Sequence, residues 1–333
     1  MNGLYIGTYT KGRASCGIYR TALEAQGRFA APELAAATDD PSYLILSGDG
    51  GRMFCVNEHA GGASSFALMR QGMGEAVLTG RAATRGDSPC HLALSPDGLE
   101  LAVANYGDGV VSICRVENGA LTGEVQALPG RAGAHAHMCV FDEDRLLVCD
   151  LGCDVVRAFS RAGGAWREDE PLLKLPEGAG PRHMVLGGRA IYVLGELDSR
   201  LHVFMRGQGA GYRYAGAVPL AEQERIGSLA QGERISGGGA IRLSRDGRHL
   251  LCTTRHDSRI CLLSVSGDGM PRFEASLDCG GRNPRDAEFV GGHIVCACQD
   301  EGGLVCLHPE GEGARVTDRC LIDAPVCVLN ADA

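Results

Sequence analysis

Histidines, arginines and carboxylates stand at recurring places in this 333-residue chain. His91 follows SPC, His137 closes the run HAH with His135, and His183 closes GPRH. Each opens a short apolar run. Imidazole titrates near neutral pH, so these side chains suit general acid–base work. Arg182 directly precedes His183, Arg285 takes the matching place in NPRD, and Arg255 ends the run LLCTT. A guanidinium fork fits the oxygens of phosphate, carboxylate or a developing oxyanion. Glu58, Asn105, Asp150 and Glu196 each follow an apolar run directly. A base, an anion grip and an oxyanion donor are what hydrolysis of an activated ester needs.

Each of these residues also has a plain structural use. A lone histidine at a strand start can bond a neighbouring backbone, and Asp150 and Asn105 can cap turns. Three histidines in one register position shift the reading toward a site. Glu196 follows Gly195 in a polar break with no Asx-type turn to explain it. Asn105, in NYG, is the weaker site candidate, and His256 reads as a solvated rim residue.

The elements that position them come from a repeat. Six segments share one plan: a short apolar strand, a turn, a second apolar strand, a polar residue, a Gly/Asp turn and a third strand. They begin near Ser42, His91, His137, His183, Ala240 and Asp286, mostly 46 residues apart. A period in the mid-forties with several short strands per unit is the signature of propeller blades. SPDG at 95–98 and SRDG at 244–247 read as the tight turns between the first two strands. The N-terminus supplies a second, third and fourth strand, and APVCVLN at 324–330 a first strand with nothing after it. Together they make one composite blade, which closes the ring without an open sheet edge. The chain is therefore expected to be all-β: one seven-bladed propeller spanning residues 1–333. The longer step to Ala240 marks an insertion within Gly207–Ser236, expected as an extended surface loop between the fourth and fifth segments.

Aligned on this plan, Tyr43, His91, His137, His183, Ala240, Asp286 and Cys327 form a ring at the start of the innermost strands. Glu58, Asn105, Asp150, Glu196, Arg255 and Gln299 form a second ring at the end of the next strands, with Thr8 in the composite blade. Antiparallel neighbours bring these ends together. Both rings are thus expected at one mouth of the central channel, with the SPDG-type turns flanking the other mouth and no such constellation there.

Composition excludes several function classes. The net charge is −9, which disfavours nucleic acid and anionic membranes as partners. Aromatic residues are only 5%, so no broad apolar docking rim is expected. The 15 cysteines are scattered through apolar runs without zinc-type spacing. They read as reduced, buried small hydrophobes of a cytoplasmic protein. No secretory leader or membrane span is seen. No metal and no cofactor are expected, and a monomer is the default because a closed propeller needs no partner.

The runs YIGTYT, SPCHLALSPDGLELAVANYGDGVVSI, HAHMCVFDEDRLLVCDLGCDVV, GPRHMVL, SRDGRHLLCTTRHDS and NPRDAEF resemble the seven-bladed propeller lactonase family. That family includes cycloisomerase-like 6-phosphogluconolactonases and carboxymuconate lactonizing enzymes. The resemblance covers nearly the whole chain and implies a metal-independent enzyme. In the lactonizing branch, a histidine, a glutamate and arginines at the channel mouth are implicated in catalysis. By motif these fall on His137, Glu196, Arg182 and Arg255. The chain departs from the pattern at 236–240, where SGGGA replaces the more usual acidic residue.

The expected activity is hydrolysis of a sugar lactone, foremost 6-phosphoglucono-1,5-lactone. His137 or Glu196 would be the base, with Asp150 or Glu196 orienting an imidazole. His91, His135, His183, Asp150, Arg285, Asn105 and Glu58 would contact a small anionic lactone. The alternatives are lactonization of a muconate-type dicarboxylate and a non-catalytic ligand- or protein-binding propeller.

Overall fold

The computed structural model describes residues 1–333 except 70–73, 170–172, 208–210, 221–236, 312 and 333. Among the described residues, 29 strands form seven antiparallel sheets arranged as a closed ring of blades. The innermost strands are β4 (Leu44–Leu46), β8 (Pro89–Leu94), β12 (Ala136–Asp142), β17 (Pro181–Leu186), β21 (Gly238–Leu243), β25 (Arg282–Val290) and β29 (Pro325–Asn330). The ring closes as the repeat requires. β29 pairs with the N-terminal strand β1 (Asn2–Thr8), which continues the sheet through β2 (Gly17–Leu23) and β3 (Glu33–Ala37).

The second strand of each blade reads as an unbroken apolar run for a physical reason. β22 (His249–Thr254) and β26 (His293–Glu301) are covered on both faces by neighbouring blades, so neither face needs polar residues. The core therefore lies between blades. Leu251 and Ile260 pack with Ala287, Ile294 and Cys296 of the next blade. Leu4, Ile6 and Leu23 pack with Val290 and Val295, sealing the composite blade against its neighbour. Outer strands such as β24 (Pro271–Asp278) alternate because one face meets water.

The inner hairpins turn on a Ser-x-Asp-Gly device. In 95–98, Ser95 Oγ donates to Asp97 Oδ1 at 2.6 Å and accepts from the Glu100 N–H at 3.0 Å. Gly98 closes the turn at φ +71°, where a Cβ would be strained. Ser47/Asp49 and Ser244/Asp246 repeat the device.

The insertion differs in part from its expected form. Tyr212–Pro219 is not loop but β20, the outer strand of its blade, paired along β19 (Arg200–Arg206). An outer strand with alternating partial burial carries a weak apolar signal, which hid it in the sequence. Residues 221–236 lie outside the described residues.

Candidate active site

Adjacent blades deliver their inner-strand starts to one end of the channel, and the first ring does assemble there. The rings of Tyr43 and His91 lie 3.9 Å apart between centroids, His91 and His183 5.6 Å, and His183 and His137 5.3 Å. All three histidines are buried. Burial and the nearby guanidiniums keep them neutral: His91 falls to about 3, and His137 and His183 lie well below the usual imidazole range.

Arg182 is the hub. Its Nη1 donates to His137 Nε2 at 2.6 Å and to Glu196 Oε2 at 2.5 Å, while Nε donates to the Gly239 carbonyl at 2.7 Å. Nη2 makes no hydrogen bond among the described residues. Glu196, just past β18 (Ala190–Gly195), accepts from Arg255 Nη2 on its other oxygen at 2.6 Å. Burial pushes the Glu196 carboxyl up, but Arg182 and Arg255 outweigh it and hold it below the usual range. Arg255 is brought down to about 10 by burial and by Arg182 beside it. Gly239 admits this geometry. A Cβ there would lie 2.4 Å from Thr253 Oγ1 and 3.1 Å from Arg255 Cγ.

Arg285 enters the same mouth from β25, its guanidinium 5.3 Å from the ring centroid of Tyr9. It has no carboxylate within ion-pair distance among the described residues. Tyr9 in turn donates to Glu58 at 3.0 Å. The mouth thus holds three arginines, of which two share one carboxylate and the third is uncommitted.

The hydrogen bonds fix imidazole roles. His137 Nε2 accepts from Arg182, so its proton sits on Nδ1, which is buried and unpaired. His91 Nδ1 accepts from the Cys139 N–H at 3.4 Å, leaving the protonated Nε2 unpaired and buried. Buried donors without acceptors are costly unless water or a ligand completes them.

Several expected partners are elsewhere. Asp150 does not orient His137; its Oδ1 accepts the His135 backbone N–H at 2.9 Å and pins that loop. Glu196 bonds arginines, not His183. Asn105 is a cap, its amide donating to the Val110 carbonyl at 3.0 Å and to Ser112 Oγ at 3.3 Å. His135 stacks on Tyr106 at 4.7 Å on the rim and bonds the Tyr106 carbonyl at 2.7 Å. The inner strands also bring in a charge that the ring alignment did not include. Arg242 of β21 forms a bidentate pair with Asp286 at 2.7 and 2.9 Å and also bonds Glu288 at 2.9 Å. The sequence signal missed was a charge inside an apolar inner strand, between Ile241 and Leu243. Tyr9 was missed because the longer turn of the composite blade blurs the alignment.

The family model described as lactonase, 7-bladed beta-propeller, matches residues 3–330. The chain belongs to that family. A 6-phosphogluconolactonase of Bacillus subtilis is 26% identical, with 97% of each chain covered. One from Photorhabdus laumondii is 26% identical over 78% of this chain and 77% of its own. The structure of the periplasmic gluconolactonase of Pseudomonas aeruginosa superposes with a TM-score of 0.90 at 27% identity, covering 99% of this chain and 98% of the other. These relatives share a name for lactone chemistry.

Proposed function

We propose that this chain hydrolyses an anionic sugar lactone, foremost 6-phosphoglucono-1,5-lactone, at the Arg182–Glu196–Arg255–Arg285 mouth. The observation that carries the reading is the unequal commitment of the arginines. Arg285 has no carboxylate partner and suits the phosphate, while Arg182 keeps Nη2 donors for a carbonyl oxygen. The relatives named above support the substrate class.

His137 is a poor base in this arrangement, because Arg182 occupies its lone pair. Glu196 is the base, restrained until substrate arrives. An anion binding at Arg285 and Arg255 draws Arg255 away from Glu196 and raises the carboxylate's basicity. Glu196 then takes a proton from a water whose oxygen bonds to C1. Arg182 stabilises the resulting oxyanion. Collapse breaks the bond between C1 and the ring oxygen, which takes up the proton and leaves as the C5 hydroxyl. A reducing compartment fits the fifteen free cysteines.

The test pairs two substrates. Freshly generated 6-phosphogluconolactone should be consumed faster than its spontaneous rate, and a muconate-type dicarboxylate should be unchanged by absorbance. Turnover of the muconate alone would move the function to the lactonizing branch. Turnover of neither would favour a binding propeller.

A further inference from the structure

Cys279, Cys296 and Cys298 converge where two neighbouring blades meet. Their three sulfurs lie within 4.8 Å of one another, with Cys298 Sγ 3.8 Å from both Cys279 Sγ and Cys296 Sγ. All three residues are buried. Cys296 and Cys298 are two apart on β26, so they share a face. Cys279 arrives from the preceding blade, directly after β24.

The spacing is that of ligands. A metal–sulfur bond of about 2.3 Å implies sulfur–sulfur edges of about 3.8 Å in a tetrahedral site and about 4.0 Å in a trigonal one. Among the described residues no fourth cysteine, histidine or carboxylate joins the group. Three sulfurs alone suit three-coordination by a soft ion. The charge that thiolates would bring has a counter-ion at hand. The guanidinium of Arg319 lies along Gly280 and Gly302, the two glycines flanking the cluster, and acts on Cys298. Cys298 also borders a cleft of about 290 Å³ lined by Asp300, Glu301 and Asp323, which offers cations a path in.

We propose that Cys279, Cys296 and Cys298 form a binding site for one soft, thiophilic metal ion, Cu(I) by preference, that staples the fifth repeat segment to the sixth. Binding replaces three thiol protons by one metal ion, so protons are released and no electron moves. The thiols take no part in the proposed hydrolysis, so the metal site does not depend on the hydrolytic reading.

The test is anaerobic titration of the reduced full chain with Cu(I) against a chromophoric Cu(I) chelator, with Zn(II) titrated in parallel. The expected result is one Cu(I) held per chain, with a melting temperature raised by several degrees and X-ray absorption showing three sulfur neighbours. Cys279→Ala and Cys298→Ala should each lose that ion, while Cys149→Ala, a buried thiol elsewhere, should keep it. Tight Zn(II) with weak Cu(I) would overturn the metal preference. Retention of neither metal by the folded wild-type chain, or equal retention by Cys279→Ala, would overturn the site. The wild-type arms stand even if a variant fails to fold.

Discussion

Acidification should unfold this propeller through three buried imidazoles. His91, His137 and His183 are neutral in the folded chain, with His91 at about 3 and the others well below the usual range. Unfolded, each takes up a proton as pH falls through about 6.5. The folded pKa is depressed, so the stabilising contribution is fully present above about 6.5 and is lost as pH drops below it. Between pH 7 and pH 5 each imidazole shifts the balance by about 2 kcal/mol, and the three together by about 6 kcal/mol. That is a large share of the about 5–15 kcal/mol that holds a typical native state. The assay is urea unfolding followed by circular dichroism at pH 7, 6 and 5. Replacing His183 with Gln, which cannot titrate, should shrink the pH 7 to pH 5 loss by about 2 kcal/mol, whatever it does to stability at pH 7. A wild-type loss below about 2 kcal/mol, or an unchanged loss in His183→Gln, would refute the claim that these rings stay neutral.

Three further outcomes follow from the same geometry. Arg285→Ala should raise KM for the phosphorylated lactone about 10- to 100-fold, as expected for one charge-assisted contact, and leave unphosphorylated gluconolactone nearly unchanged in steady-state kinetics. Gly239→Ala forces a Cβ to 2.4 Å from Thr253 Oγ1 beside Arg255, so kcat/KM should fall at least tenfold while the fold, read by circular dichroism, persists. Arg157, wholly buried, bonds Glu168, the Gly109 carbonyl at 3.1 Å and the Pro129 carbonyl at 2.7 Å. Arg157→Met should cost about 3–5 kcal/mol in denaturant unfolding without changing KM.

The blade plan was legible because each blade must bury the same faces, and identical demands recur at identical spacing. The composite closure was legible for the same reason: a missing first strand at one end matched a spare one at the other. The ring contacts among Tyr43, His91, His137 and His183 also followed, since register alone places them. Side-chain partners did not follow. Asp150 and Asn105 look like site residues in sequence, yet they hydrogen-bond loop backbone groups. Arg242 hid inside an inner strand, because alternation along that strand was read as apolar throughout. The thiol cluster was invisible because Cys279 comes from another blade, and only blade-to-blade packing carries it to Cys298.

The most direct measurement of the central claim is the rate of 6-phosphogluconolactone hydrolysis above its spontaneous background, for the wild type and for Glu196→Gln. Glutamine keeps the side chain's shape and can accept from one of the two arginines, but it cannot accept the proton. The account predicts clear acceleration by the wild type and a fall in kcat of about 10²- to 10⁴-fold in the variant, with KM little changed. Acceleration by the wild type that survives intact in Glu196→Gln would contradict the base assigned here.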